Sequence, residues 1–167
     1  MTLTSYAIAV GSNRRGRYGS PAQTVRAAAE AIGAERLSRV RTTPALGPAG
    51  RGFANAAAIL SSELEPPKLL ASLKAVERAF GRRGGRRWGP RILDLDIILW
   101  SEGCWEGDGL VVPHPAFRQR LFVLEPLAEL VPAWRDPVSG ATIRQLLSIL
   151  RRGRPTFSRL DSRARKL

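Results

Sequence analysis

Cysteine and histidine are almost absent from this chain of 167 residues, which contains one of each. The single Cys104 excludes an internal disulfide and a cysteine-rich zinc site, and the single His114 excludes a histidine metal cluster. No apolar run approaches the roughly 20 residues of a membrane-spanning helix. The N-terminus has no basic region, and its apolar run of five residues is too short for a signal peptide. The sequence therefore predicts a cytoplasmic protein.

Acidic residues are also scarce: 14 Asp and Glu stand against 27 Lys and Arg, a formal net charge of +13. This charge predicts a polyanionic partner, which could be a nucleic acid, nucleotide phosphates or a membrane surface. The segment after Leu150 carries seven basic residues and one acidic residue, so 20 basic and 13 acidic residues remain before it. We expect a single domain over residues 1–150 and a basic C-terminal tail over residues 151–167, a segment that could be disordered.

The periodicity of apolar residues predicts the element order β-α-β-β-α-β, followed by further helices. The predicted strands are Tyr6 to Val10, Leu37 to Thr43, Phe53 to Leu64 and Ile92 to Trp100; the predicted helices are residues 21–32, the segment from Pro66 to Gly81, a short helix after Pro126 and one from Thr142. This order is typical of an α+β fold with a ferredoxin-like split βαβ core and a mostly antiparallel sheet covered by helices.

The stretch "RRWGPRILDLDIILW", residues 86–100, places two carboxylates in an otherwise apolar strand. Residues two apart in a strand share a face, so Asp94 and Asp96 should lie side by side, with Cα atoms about 6.5 to 7 Å apart. Leu93, Leu95 and Ile97 should point into a core. Two adjacent carboxylates repel each other when buried, so a cation is expected between them.

That cation could be an arginine side chain or Mg²⁺, which favours carboxylate and phosphate oxygens. The segment from Gly81 to Arg91, just before the strand, contains five arginines and four glycines. Two aspartates alone would not need so many arginines as partners. A Gly/Arg loop beside a carboxylate pair favours phosphoryl transfer, in which the protein positions groups and neutralises negative charge.

Three other polar positions are notable. Glu77 falls on the apolar stripe of its helix, where a lone carboxylate is interpreted as reaching water at the stripe's edge. His114 stands between two prolines, and its setting is typical of a solvated loop. Phe53 and Asn55 lie two apart at a strand start and could stack on and hydrogen-bond a flat heterocycle.

Together these motifs resemble the 6-hydroxymethyl-7,8-dihydropterin pyrophosphokinase family of folate biosynthesis. The resemblance covers residues 6 to about 150. It rests on "RWGPRILDLDII" and, in the same order as in the family, on "AVGSN" at 9–13, "TPALGP" at 43–48, "FANAA" at 53–57 and "VPHP" at 112–115.

The resemblance implies that the hydroxymethyl oxygen of the pterin attacks the β-phosphorus of ATP, giving the pterin diphosphate and AMP. It implies two Mg²⁺ ions bound by Asp94 and Asp96, with Arg82, Arg91 and Asp96 as catalytic residues. The implied pterin-binding residues are Thr43, Pro44, Leu46, Phe53, Asn55, Asp94 and Phe122. The implied ATP-binding residues are Lys74, Glu77, Arg83, Trp88, Arg91, Ile97, His114 and Arg120. The loop from Gly81 to Arg87 would close over the nucleotide. ATP and the pterin would be the partners, with no nucleic acid or membrane, and the protein would be a monomer.

The chain also departs from the family pattern. Lys74 replaces a glutamine, Pro115 replaces a tyrosine of some members, and Gly109 and Val111 replace an arginine and a threonine near ATP. The Gly/Arg loop is one residue shorter.

Two alternatives stay open from the residues alone. A nucleic-acid-binding protein would explain the charge of +13 but would not need Asp94 or Asp96. Another Mg²⁺-dependent enzyme with an Asp-x-Asp motif, such as a nucleotidyl or glycosyl transferase, would not need the other motifs.

Overall fold

A five-stranded antiparallel sheet forms the centre of the computed structural model, which describes residues 2–43, 52–81 and 92–153. The strands of this sheet are β1 (Thr4–Ser12), β2 (Arg36–Leu37), β3 (Arg41–Thr43), β4 (Phe53–Ser62) and β5 (Asp94–Trp100). A separate hairpin consists of β6 (Trp105–Gly107) and β7 (Leu110–Val112). The described helices are α1 (Pro21–Ala31), α2 (Pro66–Ala79), α3 (Leu121–Leu130) and α4 (Ile143–Arg151), with a 3₁₀ turn at Phe117–Gln119. The predicted α+β fold with an antiparallel sheet is confirmed.

Strand β1 lies inside the sheet and β5 forms one of its edges, in the order β2-β4-β1-β5 with β3 also paired to β4. Along the β1–β5 ladder, Ala9 lies opposite Asp96 and Gly11 lies opposite Asp94. The two aspartates are therefore next to small residues of the neighbouring strand, which leaves open space above that part of the sheet.

The sheet separates two hydrophobic clusters. Leu93, Leu95 and Ile97 pack with residues of α1 and α2 on one face, as the alternation of the sequence predicted. Ile98 packs with residues of α3 and α4, including Leu124, on the other face. Each fully buried leucine or isoleucine contributes about 1.5 to 3 kcal/mol, so β5 is held firmly by its apolar residues while its aspartates stay at the open end of the second face.

Two helix starts agree with the sequence signals. Ser20 caps α1 and forms a capping box with Gln23, and Thr142 forms the predicted capping box with Gln145 at the start of α4. Both boxes are local interactions between residues three apart, which is why the sequence alone could identify them.

Two predicted elements are wrong in extent. The strand predicted from Leu37 to Thr43 is divided into β2 and β3, because between them the Ser38 side chain accepts a hydrogen bond from the amide of Ala57 and replaces a regular ladder contact. The helix predicted after Pro126 begins at Leu121 and contains that proline. Pro126 cannot donate to the carbonyl of Phe122, but the buried side chains of Leu124 and Leu127 hold the helix in place.

The predicted loop from Pro44 to Gly52, the loop from Gly81 to Arg87 and the basic tail lie wholly or largely outside the described residues. Within the described ranges, no helix has the length and apolar character needed to cross a membrane.

Candidate active site

A cavity of about 680 Å³ opens where the carboxylate-bearing end of β5 meets the first turn of α3. Its walls come from β1, β3, β4, β5 and α3. The predicted site residues that line it are Thr43, Phe53, Asn55, Asp94, Asp96, Arg120 and Phe122. Residues from five separate elements therefore converge on one concave surface, as expected of a ligand site.

Asp94 and Asp96 both line this cavity, as their spacing along β5 predicted. Gly11, opposite Asp94 on β1, makes the space possible: a Cβ atom at this position would lie 3.1 Å from Oδ1 of Asn55. The predicted strand ended at Val10, whereas β1 continues through Gly11 to Ser12. Residues 9–13 all line the cavity, although none of them was predicted to be a site residue. They form the "AVGSN" motif, which could have identified them.

The Asp96 carboxylate lies where its charged form is disfavoured. Burial raises the pKa of Asp96, and the adjacent Asp94 carboxylate raises it further. His114 and Lys74 act in the opposite direction. A bound cation would lower the pKa of Asp96 and relieve this repulsion, so the donor set suits a divalent metal ion.

Two carboxylates are the whole protein ligand set that the described ranges offer, since no group of three potential metal-ligating side chains occurs there. Mg²⁺ is often bound by one or two carboxylates together with waters and substrate phosphates. Asp94 and Asp96 fit this pattern, in which a phosphorylated ligand completes the coordination.

Two phenylalanine side chains form the apolar part of the cavity. Phe53 at the start of β4 and Phe122 in the first turn of α3 are each 49% exposed. Large apolar rings that stay half-exposed inside a cavity indicate a binding surface for a flat ligand. Asn55, two residues after Phe53 on β4, adds an amide that can both donate and accept hydrogen bonds.

His114 and Arg120 lie beside the aspartates. The His114 ring is half-buried rather than solvated, and its Nδ1 atom accepts a hydrogen bond of 3.1 Å from the amide of Ala116. Burial lowers the pKa of His114, the nearby Asp96 raises it, and the Arg120 guanidinium lowers it again. The Arg120 guanidinium also lies 5.6 Å from the centre of the Phe122 ring, so it borders both the charged and the aromatic parts of the cavity.

The structure corrects the interpretation of Glu77 as a carboxylate that reaches water. Its side chain is 0% exposed, and Oε1 accepts a hydrogen bond of 2.8 Å from the amide of Leu95. Lys74, one helical turn earlier, donates to the same carboxylate over 3.2 Å. The hydrophobic stripe of α2 brought Glu77 inside the molecule, and its backbone partner 18 residues away could not be found from helix periodicity.

Ile97 is placed apart from the other predicted site residues. Its side chain is 2% exposed and packs in the core between the sheet and α1 and α2, so only its main chain could contact a ligand. Pro44, Leu46, Arg82, Arg83, Trp88 and Arg91 lie outside the described residues.

The 7,8-dihydro-6-hydroxymethylpterin-pyrophosphokinase (HPPK) family model matches residues 7–132. A 2-amino-4-hydroxy-6-hydroxymethyldihydropteridine pyrophosphokinase of Synechocystis sp. is 45% identical over 116 residues, 70% of this chain and 60% of the relative. An enzyme of the same name from Pseudomonas aeruginosa is 39% identical over 150 residues, 84% of this chain and 88% of the relative. The chain thus spans less than two thirds of the Synechocystis protein.

Two solved structures share the fold. The first is a crystal structure of an HPPK-DHPS in complex with substrates, which matches with a TM-score of 0.68 at 9% identity. The matched region is 89% of this chain and 45% of the HPPK-DHPS chain. A Plasmodium falciparum HPPK-DHPS triple mutant has a TM-score of 0.67 at 12% identity, with coverages of 88% and 43%. At these identities the likeness concerns the fold alone.

Proposed function

The chain belongs to the 7,8-dihydro-6-hydroxymethylpterin-pyrophosphokinase family, and from this premise we propose that it transfers the pyrophosphoryl group of ATP to 6-hydroxymethyl-7,8-dihydropterin. The products are the pterin diphosphate and AMP, and the step belongs to folate biosynthesis. The observation that carries the proposal is that one cavity contains both the Asp94–Asp96 pair and the exposed rings of Phe53 and Phe122. The carboxylates suit a metal-bound phosphate chain, and the rings suit a flat bicyclic substrate.

The proposed pterin site uses the apolar half of the cavity. The rings of Phe53 and Phe122 stack on the two faces of the pterin, and the amide of Asn55 reads its polar edge. Thr43 lines the same cavity at the end of β3. The pterin-binding roles of Pro44, Leu46 and Asp94 are part of the same proposal.

The proposed phosphate site uses the charged half. Asp94 and Asp96 hold two Mg²⁺ ions, which supply Lewis-acid stabilisation of the phosphate oxygens of ATP. Arg82 and Arg91 stabilise negative charge on the transferred group. The proposed contacts to ATP come from Lys74, Arg83, Trp88, Arg91, His114, Arg120 and the main chain of Ile97. The fully buried Glu77 would support this site through the backbone of β5 rather than by a contact with ATP. The excess of positive charge, +13 over the whole chain, favours approach of this polyanionic substrate.

In the proposed reaction, the hydroxymethyl oxygen forms a bond to the β-phosphorus, and the bond between that phosphorus and the bridging oxygen of the α-phosphate breaks. The hydroxyl proton is released, and AMP leaves with the bridging oxygen. The protein contributes chiefly by holding the two substrates in line. Closure of the loop from Gly81 to Arg87 would keep water, a competing acceptor, away from the reacting phosphorus.

Domain organisation, oligomeric state and compartment stay predictions. We propose one pyrophosphokinase domain over residues 1–150, followed by the basic tail, in a monomeric cytoplasmic protein that binds neither nucleic acid nor membrane. A shortened protein that lacks residues 152–167 should retain nearly all of its turnover, and a large loss would show that the tail belongs to the active protein.

The activity is tested by quantifying AMP and the pterin diphosphate after incubation of the purified protein with ATP, 6-hydroxymethyl-7,8-dihydropterin and Mg²⁺. We expect equal amounts of the two products, and no product when either the pterin or Mg²⁺ is omitted. Absence of AMP in the complete mixture, with a folded protein, would contradict the proposed function. AMP that forms without the pterin would indicate a different ATP-dependent reaction.

A further inference from the structure

The Glu77 carboxylate is buried at the edge of the strand that carries the two aspartates. It belongs to α2, is 0% exposed, and lies on the same side of the helix as the buried Leu69 and Leu73. Its Oε1 atom accepts the hydrogen bond from the amide of Leu95 over 2.8 Å. Leu95 is the residue between Asp94 and Asp96, so Glu77 holds the backbone of the aspartate pair at its midpoint.

The position of β5 in the sheet explains why such a contact is needed. β5 pairs with β1 on one side, and no described strand of the central sheet pairs with its other side. The Leu95 amide points to that open edge, where it meets the carboxylate of Glu77. A buried backbone amide without a partner is strongly unfavourable, so Glu77 takes the place of a further strand at this point.

Lys74 offsets the charge that Glu77 brings into the protein. Its ammonium group lies 3.2 Å from Oε2 of Glu77, and its side chain is 35% exposed. Because the same carboxylate accepts the hydrogen bond from the Leu95 amide, the Lys74–Glu77 ion pair lies against the strand segment between Asp94 and Asp96. Lys74 therefore places a positive charge of α2 next to the carboxylates at the edge of β5.

Glu77 does not join the aspartates as a third metal ligand. In residues 2–43, 52–81 and 92–153, no three acidic, histidine or cysteine side chains come together as a metal site. The contact with Leu95 instead connects Glu77 to the aspartates through the backbone.

We propose that Glu77 and Lys74 are positioning residues for the aspartate pair. Glu77 fixes the edge of β5 at Leu95 so that Asp94 and Asp96 stay side by side, and Lys74 sets how strongly the pair attracts Mg²⁺ by cancelling the charge of Glu77. This role does not require either side chain to touch ATP. Its effects on turnover and on Mg²⁺ affinity in the presence of an ATP analogue rest on the proposed function, whereas its effect on the β5 edge does not.

The contact at Leu95 is tested by amide hydrogen exchange of this residue, measured by NMR in Glu77→Leu, Glu77→Gln and the wild-type protein. Glu77→Leu removes the acceptor, so the Leu95 amide should exchange at least about 10-fold faster relative to the amides of β1 and β4. Glu77→Gln retains a side-chain oxygen that can accept the bond, so it should keep most of the protection. The exposed Glu63 provides the matched control, and Glu63→Gln should leave Leu95 unchanged.

The charge balance is tested by calorimetric titration of Mg²⁺ into the protein with a non-hydrolysable ATP analogue. Lys74→Gln removes a positive charge that offsets the negative charge of Glu77, so Mg²⁺ should bind about 3-fold more tightly. Glu77→Gln removes that negative charge and leaves Lys74 uncancelled, so Mg²⁺ should bind about 3-fold more weakly. Lys68→Gln, which removes an exposed lysine from the same helix, should change the affinity little.

Opposite shifts in Mg²⁺ affinity separate a positioning role from a loss of stability, which would weaken binding in both variants. Unchanged Leu95 exchange in Glu77→Leu, or shifts of the same sign in the two charge variants, would overturn the proposal. If Glu77→Leu does not fold, Glu77→Gln and Lys74→Gln decide the question by the affinity shifts alone. Failure of the wild-type protein to make AMP would refute the proposed function but leave the Leu95 exchange result valid.

Discussion

Asp96 on β5 and Asp136 in the turn before α4 are both withdrawn from water, yet the protein surrounds their carboxylates differently. Asp136 is 0% exposed and receives a hydrogen bond of 2.8 Å from Nη2 of Arg118, with further bonds from Ser139 and from the amide of Val138. These donors lower the pKa of Asp136 although burial raises it. Asp96 instead lies beside Asp94 in the wall of the cavity, and burial and this neighbouring carboxylate raise its pKa.

The difference separates the structural carboxylate of Asp136 from that of Asp96, which we propose as a binding carboxylate. At Asp136 the protein itself supplies the cation and the donors, so the charge is neutralised as the chain folds. At Asp96 the charge is kept in an unfavourable setting beside a second carboxylate, a cost that a bound cation would remove. Four measurements test this difference between Asp96 and Asp136.

The largest effect is expected on activity when the binding carboxylate is neutralised. Asp96→Asn should lower the rate of AMP formation about 10³-fold, equivalent to about 4 kcal/mol of transition-state stabilisation, because the metal-phosphate complex loses one of its two carboxylates. Initial-rate assays at saturating ATP and pterin measure this loss. Asp108→Asn, in the exposed turn between β6 and β7, is the matched control and should keep its activity. A fully active Asp96→Asn variant would show that Asp96, like Asp136, is not needed for binding.

The next largest effect is expected on stability when the structural carboxylate is neutralised. Asp136→Asn leaves the guanidinium of Arg118 without its counter-charge and should cost about 3 kcal/mol, or roughly 6 to 12 °C in Tm. Thermal and urea unfolding measure the loss. The turnover of the folded fraction should stay close to that of the wild-type protein at low temperature. A stability loss of the same size in Asp96→Asn would contradict the comparison.

The acid limit of stability should depend on Asp136. Because its pKa is lower in the folded protein than in the unfolded chain, its contribution is present above the unfolded value of about 3.9 and is lost as the pH falls through the folded value. Urea unfolding between pH 3 and 7 should therefore show a smaller acid loss in Asp136→Asn than in the wild-type protein. Parallel stability profiles for the two proteins would show that Asp136 does not contribute this way.

The smallest effect has the opposite sign. The pKa of Asp96 is raised on folding, so its folded form favours protonation, and the charged form costs stability at neutral pH. Asp96→Asn should therefore unfold at a slightly higher Tm than the wild-type protein at pH 7 without metal. The gain should fade as the pH falls through the raised folded value towards the unfolded one, because the wild-type carboxyl then becomes neutral. A lower Tm at pH 7 would mean that Asp96 is held by favourable contacts, as Asp136 is.

Local sequence signals predicted much of this molecule. The capping boxes at Ser20 and Thr142 lie within one helical turn, and the alternation of Leu93, Leu95 and Ile97 with the two aspartates defines the faces of β5. These features depend on residues close in sequence, so the fold class and the aspartate pair could be predicted before any contact between distant residues was known.

Contacts between distant residues accounted for what the sequence could not predict. The hydrogen bond from Leu95 to Glu77 and the close approach of Gly11 to Asn55 depend on how α2 and the strands pack. The break between β2 and β3 depends on Ser38 and its partner Ala57 in the neighbouring strand. Each involves residues at least 18 positions apart, beyond the reach of periodicity and propensity.

The central proposal for this protein is that the pyrophosphoryl group passes intact from ATP to the pterin at the Asp94–Asp96 pair. The most direct measurement follows the label of ATP carrying ³²P in the β-phosphate, with Mg²⁺ and 6-hydroxymethyl-7,8-dihydropterin, in the wild-type protein and in Asp96→Asn. We predict that the label appears in the pterin diphosphate in a 1:1 ratio to AMP, and that Asp96→Asn abolishes the transfer. Label found in ADP, or in pyrophosphate without a labelled pterin, would contradict the account.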